Sequence, residues 1–268
     1  MPVAQGKLKS FDRVADCYDA TRALPPEAES AAVAGIMRAL TQVAPRPALL
    51  EVGIGTGRIA VPLAGAGARV VGIDIAPAML ARLRAKRADL PVMLAEASRL
   101  PFRAEMFDGA LFVHVLHLLP DARAALAAAT RVVRPGGMLL YGRTGHGQNA
   151  RSKVHARLRE LARELTGEDL PSGAWHKGAD RAFTEHAHEI GARVTDVTLA
   201  RWRERRTGRE TLAAISGRVY SGTWAIPEAV MPELLRRLTP WTAELFGGLD
   251  RPVEDAITFA LVMARVPA

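Results

Sequence analysis

The chain has 268 residues, 49% of them hydrophobic, and is long enough to bury the core of one α/β domain with an insertion. Its net charge of +8 would suit an anionic macromolecule, but arginine far outnumbers lysine, so we expect a weakly basic solvated surface without nucleic-acid binding. The single cysteine, Cys17, excludes an intrachain disulfide and a cysteine cluster for zinc or iron–sulfur. With no signal-peptide core and no apolar run of the ~20 residues that span a membrane, a cytoplasmic protein is expected.

The N-terminal part of the chain is predicted to be helical. The segment 11–22 has a helical pattern that breaks at a pair of prolines, and a second helix is expected over about 27–43, where apolar residues recur at helical spacing. We treat residues 1–45 as one helical segment.

A glycine-rich turn follows the first predicted strand. Gly53, Gly55 and Gly57 stand at every second position between an apolar run and an amphipathic helix, so the backbone can take positive φ and a ligand can lie directly on it. The following helix would point free N–H groups at that ligand, which predicts a nucleotide site. A dinucleotide fingerprint would place its third glycine at the position of Arg58, and an acid, Glu51, precedes the first glycine. The spacing therefore argues against a nicotinamide dinucleotide.

An acidic residue, Asp74, lies near the end of the second predicted strand, 69–75. A carboxylate at this place in a βαβ unit has two oxygens that match the two adjacent hydroxyls of a ribose. We therefore expect a ligand that carries a ribose.

Five blocks in order resemble the class I S-adenosylmethionine-dependent methyltransferases, in particular the subgroup that includes ubiquinone and menaquinone methyltransferases and uncharacterised bacterial members. The resemblance covers roughly residues 11–144 and is carried by the ordered set more than by any single block. The blocks are FDRVADCYDATR, LLEVGIGTGR, VVGIDIAPAML, AEASRLPFRAEMFDGALFVHVLHLL and RVVRPGGMLLYG.

The resemblance implies S-adenosylmethionine as the cofactor. Tyr18 and Arg22 match a motif that approaches its methionine end, with ordinary packing and solvation as the open alternatives. Glu96 and Ala97 replace an Asp-Ala pair that recognises adenine, and the longer glutamate puts that contact in question. The full set expected to bind the cofactor is Tyr18, Arg22, Glu51, Gly53, Gly55, Gly57, Asp74, Ile75, Met79, Glu96, Ala97, Val113 and His114.

The implied fold class is α/β, a Rossmann-like three-layer α/β/α sandwich with a seven-stranded, mostly parallel sheet, an antiparallel last strand and a helical lid. Asp108 starts the fourth strand, away from the edge where ligands bind, and is expected to be structural. Thr207 and Glu210 have the spacing of a capping box at a helix start. Further strands are expected at 91–97, 109–115, 138–143, 192–202 and 256–266.

Four parts of the chain are expected from this pattern. They are an N-terminal helical segment covering the cofactor, 1–45; a Rossmann-like core, 46–202; a helical insertion acting as substrate lid, 203–255; and a final core strand, 256–268.

The second half of the chain contains a dense basic run. Arg201, Arg203, Arg205 and Arg206 could receive a carboxylate or phosphate, and a solvated edge is the alternative.

The expected reaction is in-line methyl transfer to a small, partly apolar acceptor. Such an enzyme mainly aligns the nucleophile with the methyl group in a site that excludes water. His114 and His117, after the fourth strand, are the candidates for a general base, needed only if the acceptor must lose a proton. No metal site is expected. A cofactor-binding regulator without transfer, or an RNA methyltransferase suggested by charge alone, remain the alternatives. The chain is expected to be a monomer or a homodimer, and the sequence does not name the acceptor.

Overall fold

The computed structural model of the protein describes residues 11–147, 149–168 and 175–268, with the side chains of 175–177 excepted. The first ten residues of the predicted segment 1–45 therefore lie outside the described part of the chain.

Seven strands form one sheet in the order β3-β2-β1-β4-β5-β7-β6, with the last strand antiparallel to the other six. The N–H of Gly136 donates to the carbonyl of Val266 at 3.0 Å, and the N–H of Val266 donates to Gly137 at 2.8 Å, which ties β7 to β5. This arrangement confirms the predicted fold class. The strands are β1 Ala48–Val52, β2 Arg69–Asp74, β3 Val92–Leu94, β4 Phe107–Val113, β5 Val133–Gly145, β6 Val194–Arg206 and β7 Val253–Arg265.

The central strands are mostly apolar because both faces of the sheet are covered. All seven residues of β4 are buried, as are four of the five residues of β1. Leu50 of β1 pairs with Ala110 of β4 on one side and with Val71 of β2 on the other. The chain order reverses between β1 and β4, and parallel sheets bind ligands beyond the carboxyl ends of their strands at such a point.

Nine α-helices connect or follow these strands in the described part of the chain. In α2, Ala32, Ile36 and Leu40 are fully buried, which accounts for the apolar spacing in the sequence. The helices are α1 Tyr18–Arg22, α2 Pro26–Thr41, α3 Ala60–Gly65, α4 Pro77–Lys86, α5 Ala122–Val132, α6 Ala150–Thr166, α7 Trp175–Glu189, α8 Gly208–Ser216 and α9 Met231–Phe246.

Two sequence predictions about local structure are confirmed. Thr207 and Glu210 form the capping box at the start of α8, with the Thr207 hydroxyl accepting from the Glu210 N–H at 3.1 Å. Asp108 is structural: its carboxylate accepts from the Ala48 N–H at 2.7 Å and pairs with Arg134 at 2.9 Å. These contacts hold the starts of β1, β4 and β5 together.

Several predicted boundaries are wrong. The third strand covers only Val92–Leu94 instead of 91–97, because it pairs with β2 over just three residues at the sheet edge. The sixth strand runs to Arg206, beyond the predicted end at 202, since the capping box at Thr207 is what starts the next helix. A helix was expected near 227–238, whereas α9 begins at Met231 and continues through Pro240 to Phe246.

The chain divides into two compact units, each with its own apolar core. The first contains the described residues up to 144 together with 176–200 and 259–268, and its core includes Leu50, Phe112 and Tyr141. The second contains 201–258 and the described part of 145–175, and α6, α8 and α9 pack there around a core of their own. The predicted insertion 203–255 falls in this second unit together with α6, which sequence analysis assigned to the core; its role as a lid stays a prediction.

Candidate functional site

A cavity that opens to solvent lies in the first unit, against the carboxyl ends of β1, β2 and β4. This is the point where the strand order reverses. The cavity brings together nine of the residues expected to bind a cofactor: Tyr18, Gly53, Gly55, Asp74, Ile75, Met79, Ala97, Val113 and His114.

The glycine turn between β1 and α3 forms one wall. Gly53, Gly55 and Gly57 have φ of 74°, 56° and 77°, a region that L side chains rarely adopt. A Cβ on Gly53 would lie 2.6 Å from Val115, and one on Gly57 would lie 2.8 Å from Leu83, so close packing also requires these two glycines. A Cβ on Gly55 would meet only the end of a flexible methionine side chain at 3.3 Å. Gly55 is therefore the glycine that a ligand can approach.

Asp74 stands at the end of β2 beside this turn. Its two carboxylate oxygens accept hydrogen bonds from the backbone N–H groups of Gly55 at 2.8 Å and Ala76 at 2.9 Å. Burial raises the pKa of Asp74, although these backbone donors oppose the shift. Each oxygen keeps a second acceptor direction, so the carboxylate is fixed in place and can still accept from a ligand.

Glu51 does not line the cavity but lies directly behind it on β1, only 2% exposed. Burial raises its pKa to about 8, with the guanidinium of Arg58 opposing the shift and the charge of Asp74 adding to it. Its Oε2 atom has no hydrogen-bond partner among the described residues. Glu51 is therefore predominantly protonated at neutral pH.

The N-terminal segment contributes another wall through Phe11 and Tyr18, whose rings meet edge to face at 6.1 Å. The segment is fastened to the glycine turn by Asp19, which accepts from the Thr56 hydroxyl at 2.5 Å and pairs with Lys86 at 2.5 Å. Burial raises the pKa of the Tyr18 phenol. Tyr18 is consequently a neutral hydrogen-bonding group at the cavity.

His114 follows the end of β4 and adopts φ 56°, which is uncommon for a residue with a side chain. Its N–H donates to the carbonyl of Gly142 at 3.2 Å, and its Nε2 lies 3.1 Å from the hydroxyl of Thr144. The ring also meets Phe259 edge to face at 6.3 Å. The strained backbone thus directs the imidazole to a polar partner on β5 while the residue lines the cavity.

Five predicted site residues do not line the cavity: Arg22, Glu51, Gly57, Glu96 and His117. Glu96 is exposed, because β3 ends early at Leu94, whereas its neighbours Ala95 and Ala97 line the cavity. His117 lies in a short 3-10 helix after β4.

Sequence analysis did not assign the apolar residues that complete the lining: Phe11, Val52, Ile73, Ala95, Val115, Leu118 and Leu119. In the sequence, these residues were marked only by lying within the five blocks that resemble methyltransferases. Arg58 was noted only as a departure from a glycine pattern, yet its charge acts on both Glu51 and Tyr18.

Among the residues that the structure describes, no group of three or more His, Cys, Asp or Glu side chains could hold a metal ion. None of the described helices has the length and apolar character needed to cross a membrane.

Comparison with known proteins gives a consistent result. Residues 50–141 match a family described as a methyltransferase domain. The chain is 30% identical over 193 residues to a demethylmenaquinone methyltransferase of Renibacterium salmoninarum, covering 72% of this chain and 79% of that protein. It is 35% identical over 140 residues, or 52% of this chain, to a demethylmenaquinone methyltransferase of Tropheryma whipplei, of which it spans 59%.

Solved structures share the fold. A structure from Bacillus halodurans, provisionally assigned as a methyltransferase, superposes with a TM-score of 0.58 at 17% identity, covering 88% of this chain and 99% of that one. An S-adenosylmethionine-dependent methyltransferase of Thermotoga maritima has a TM-score of 0.50 at 17% identity, over 96% and 98% of the two chains. At these identities the likeness concerns the fold alone.

Proposed function

Because the chain belongs to the class I S-adenosylmethionine-dependent methyltransferase family, we propose that it binds S-adenosylmethionine in the cavity of the first unit and transfers the methyl group to a small molecule. The observation that carries the proposal is the pairing of Gly55, open toward the cavity, with the fixed carboxylate of Asp74.

The residues present fit the parts of this cofactor. Asp74 has free acceptor directions for the two ribose hydroxyls, and the absent Cβ of Gly55 leaves room for close approach. Ile75, Met79 and Ala97 offer an apolar surface for an adenine ring. Tyr18 and His114 are the polar groups left for the amino-acid end.

When bound, S-adenosylmethionine supplies a methyl group on a sulfonium, whose sulfur leaves as a neutral thioether. The protein then has to align the acceptor with the methyl group and exclude water, and the apolar residues Val115, Leu118 and Leu119 serve the second purpose. Where the acceptor must lose a proton, His114 is better placed than His117 to take it, because His114 lines the cavity.

The acceptor is proposed to be small and partly apolar. This rests on the apolar lining and on relatives that are named demethylmenaquinone methyltransferases. The cytoplasmic location and the monomeric or homodimeric state stay predictions from the sequence.

Binding and transfer can be tested separately. In a thermal-shift experiment, S-adenosylmethionine and S-adenosylhomocysteine are expected to raise the melting temperature, and NAD is not, since only a ligand of the native state stabilises it. Incubation with cell extract and methyl-labelled cofactor should then label a small, extractable product. Binding without any labelled product would favour the regulatory alternative, label in RNA would favour the RNA methyltransferase, and a shift with NAD alone would contradict the proposal.

A further inference from the structure

The second unit contains two arginines and a histidine grouped around one tyrosine ring. The guanidinium carbon of Arg151, on α6, lies 4.4 Å from the centroid of the Tyr220 ring, and the His155 ring meets the same ring edge to face at 5.6 Å. Arg206, at the end of β6, donates to the Tyr220 hydroxyl at 3.3 Å. We call Arg151, His155, Arg206 and Tyr220 the Tyr220 cluster; all four belong to the second unit.

Two carboxylates near this cluster, those of Glu204 and Asp255, act on the charge of Arg151 from a distance. Arg206 pairs with Glu204, but no carboxylate of the described residues lies within ion-pair distance, 4.0 Å, of the Arg151 guanidinium. Asp255, whose charge also acts on Arg151, accepts a hydrogen bond from the Ala150 N–H at 3.3 Å. Burial and the nearby charge of Arg206 both lower the pKa of Arg151. A partly buried guanidinium with N–H donors left over is a strong binding group for an anion.

The position of Arg206 explains why only part of the basic run in the sequence belongs to this cluster. Side chains alternate along β6, so Arg201, Arg203 and Arg205 are exposed on one face, whereas Arg206 is half-buried on the other. Arg203 in addition pairs with Glu254 at 2.7 Å. Solvation therefore accounts for three of these arginines and does not account for Arg206.

We propose that the Tyr220 cluster is an oxyanion-binding site of the second unit, for a ligand that carries a carboxylate or phosphate group. The Tyr220 ring stacks on Arg151 and so orients its planar fork, which matches two oxygens of either anion. The Arg206 guanidinium, which donates to the Tyr220 hydroxyl at 3.3 Å, adds a second positive charge beside that of Arg151.

Calorimetric titration with three probes that share a phenyl ring tests the site: benzoate, phenyl phosphate and benzamide, the neutral isostere of benzoate. The wild-type protein is expected to bind at least one of the two anions and not benzamide, and the preferred anion tells a carboxylate from a phosphate. Arg151→Met, which keeps an unbranched apolar stem and removes the charged guanidinium, should weaken anion binding by about 10-fold or more. Equal binding of all three probes, or of none, would overturn the proposal.

The matched control is Arg209→Met, because Arg209 is an exposed arginine of the same unit that pairs with Asp250 at 2.6 Å. It should bind the anions like the wild type. If Arg151 merely packs on Tyr220, Arg151→Met will lose thermal stability and keep anion affinity, which contradicts the proposal. Tyr220→Phe keeps the ring and removes the hydroxyl, so it gives a second, milder loss of affinity should Arg151→Met fail to fold.

Failure of the proposed function remains distinguishable. S-adenosylhomocysteine is titrated into the same preparations, and its affinity should be equal in the wild type and in Arg151→Met. A wild type that binds anions but not S-adenosylhomocysteine would refute the proposed function and leave the oxyanion site standing.

Discussion

Gly55 and Asp74 form the smallest unit of the candidate site. The carboxylate accepts from the Gly55 N–H at 2.8 Å, and this hydrogen bond ties the glycine turn to the end of β2 at the cavity. With φ of 56°, Gly55 directs its N–H at Asp74. Because glycine has no Cβ, the space that a side chain would fill stays open toward the cavity. Both residues were predicted from the sequence, since their chemistry depends on spacing within one βαβ unit.

Gly55→Ala should weaken binding of S-adenosylhomocysteine by about 10-fold or more, because the new Cβ would occupy ligand space at the cavity wall. The matched control is Gly136→Ala, where φ is 75° and the Cβ would meet nothing within 4 Å. Both variants should lose roughly 1–2 kcal/mol of stability from the left-handed backbone. Calorimetry should show reduced affinity for the first variant only; equal affinities would move the ligand away from Gly55.

Glu51 gives the protein a pH dependence that can be measured. Burial raises the pKa of Glu51 from 4.5 to about 8. As pH rises, the carboxyl group therefore ionises first in the unfolded state, and the free energy of unfolding falls. The stability of the wild type relative to Glu51→Gln should therefore be highest below pH 4.5 and fall until about pH 8. Urea unfolding across this range measures the difference, with the exposed Glu96→Gln as the control. A difference that does not change with pH would contradict a neutral Glu51.

The residues that sequence analysis misplaced or missed depend on tertiary structure. Glu96 was expected at the ligand, but the length of β3 is set by pairing with β2, which stops at Leu94. Val115 and Leu118 line the cavity as ordinary apolar residues, and no chemical feature separates them in sequence from core residues. The sequence therefore predicts site residues whose polar groups act within one short motif. It does not predict residues that reach the cavity through tertiary packing.

The elements of the second unit show how local signals decide helix boundaries. The capping box at Thr207 starts α8 where the sequence indicated, because both partners lie within one turn. The helix expected near 227–238 extends further: Pro240 lies inside the helix Met231–Phe246, where it removes a hydrogen-bond donor. Packing of the buried Leu234, Leu238 and Phe246 keeps the helix intact.

Pro240→Ala should raise the stability of the protein. Pro240 is exposed, so its ring contributes little to packing, and an alanine restores the missing N–H. A proline inside a helix costs about 3 kcal/mol. Part of the gain is offset because alanine increases the conformational entropy of the unfolded chain. Pro232→Ala is the control, because proline is tolerated in the first turn of a helix. Denaturant unfolding should show a gain for Pro240→Ala alone. An unchanged or lower stability would mean that the proline ring itself supports α9.

At the scale of the whole molecule, the cavity lies where the strand order of the sheet reverses. The second unit contains the Tyr220 cluster. The fold was predictable because five blocks appear in the order in which the strands and turns are used. The Tyr220 cluster was not, since Arg151, Arg206 and Tyr220 come from three segments that only the packing of the second unit brings together. Of this cluster, the sequence indicated just the basic run that ends at Arg206.

The most direct test of the central claim is calorimetric titration of S-adenosylhomocysteine into the wild type, Asp74→Asn and Asp121→Asn. Asp121 caps α5 by accepting from the Ala124 N–H at 2.8 Å, a role that asparagine fills equally well. Loss of the Asp74 charge should weaken binding by about 1.5–3 kcal/mol, and the control should bind like the wild type. Undiminished affinity in Asp74→Asn, or no binding by the wild type, would contradict the account.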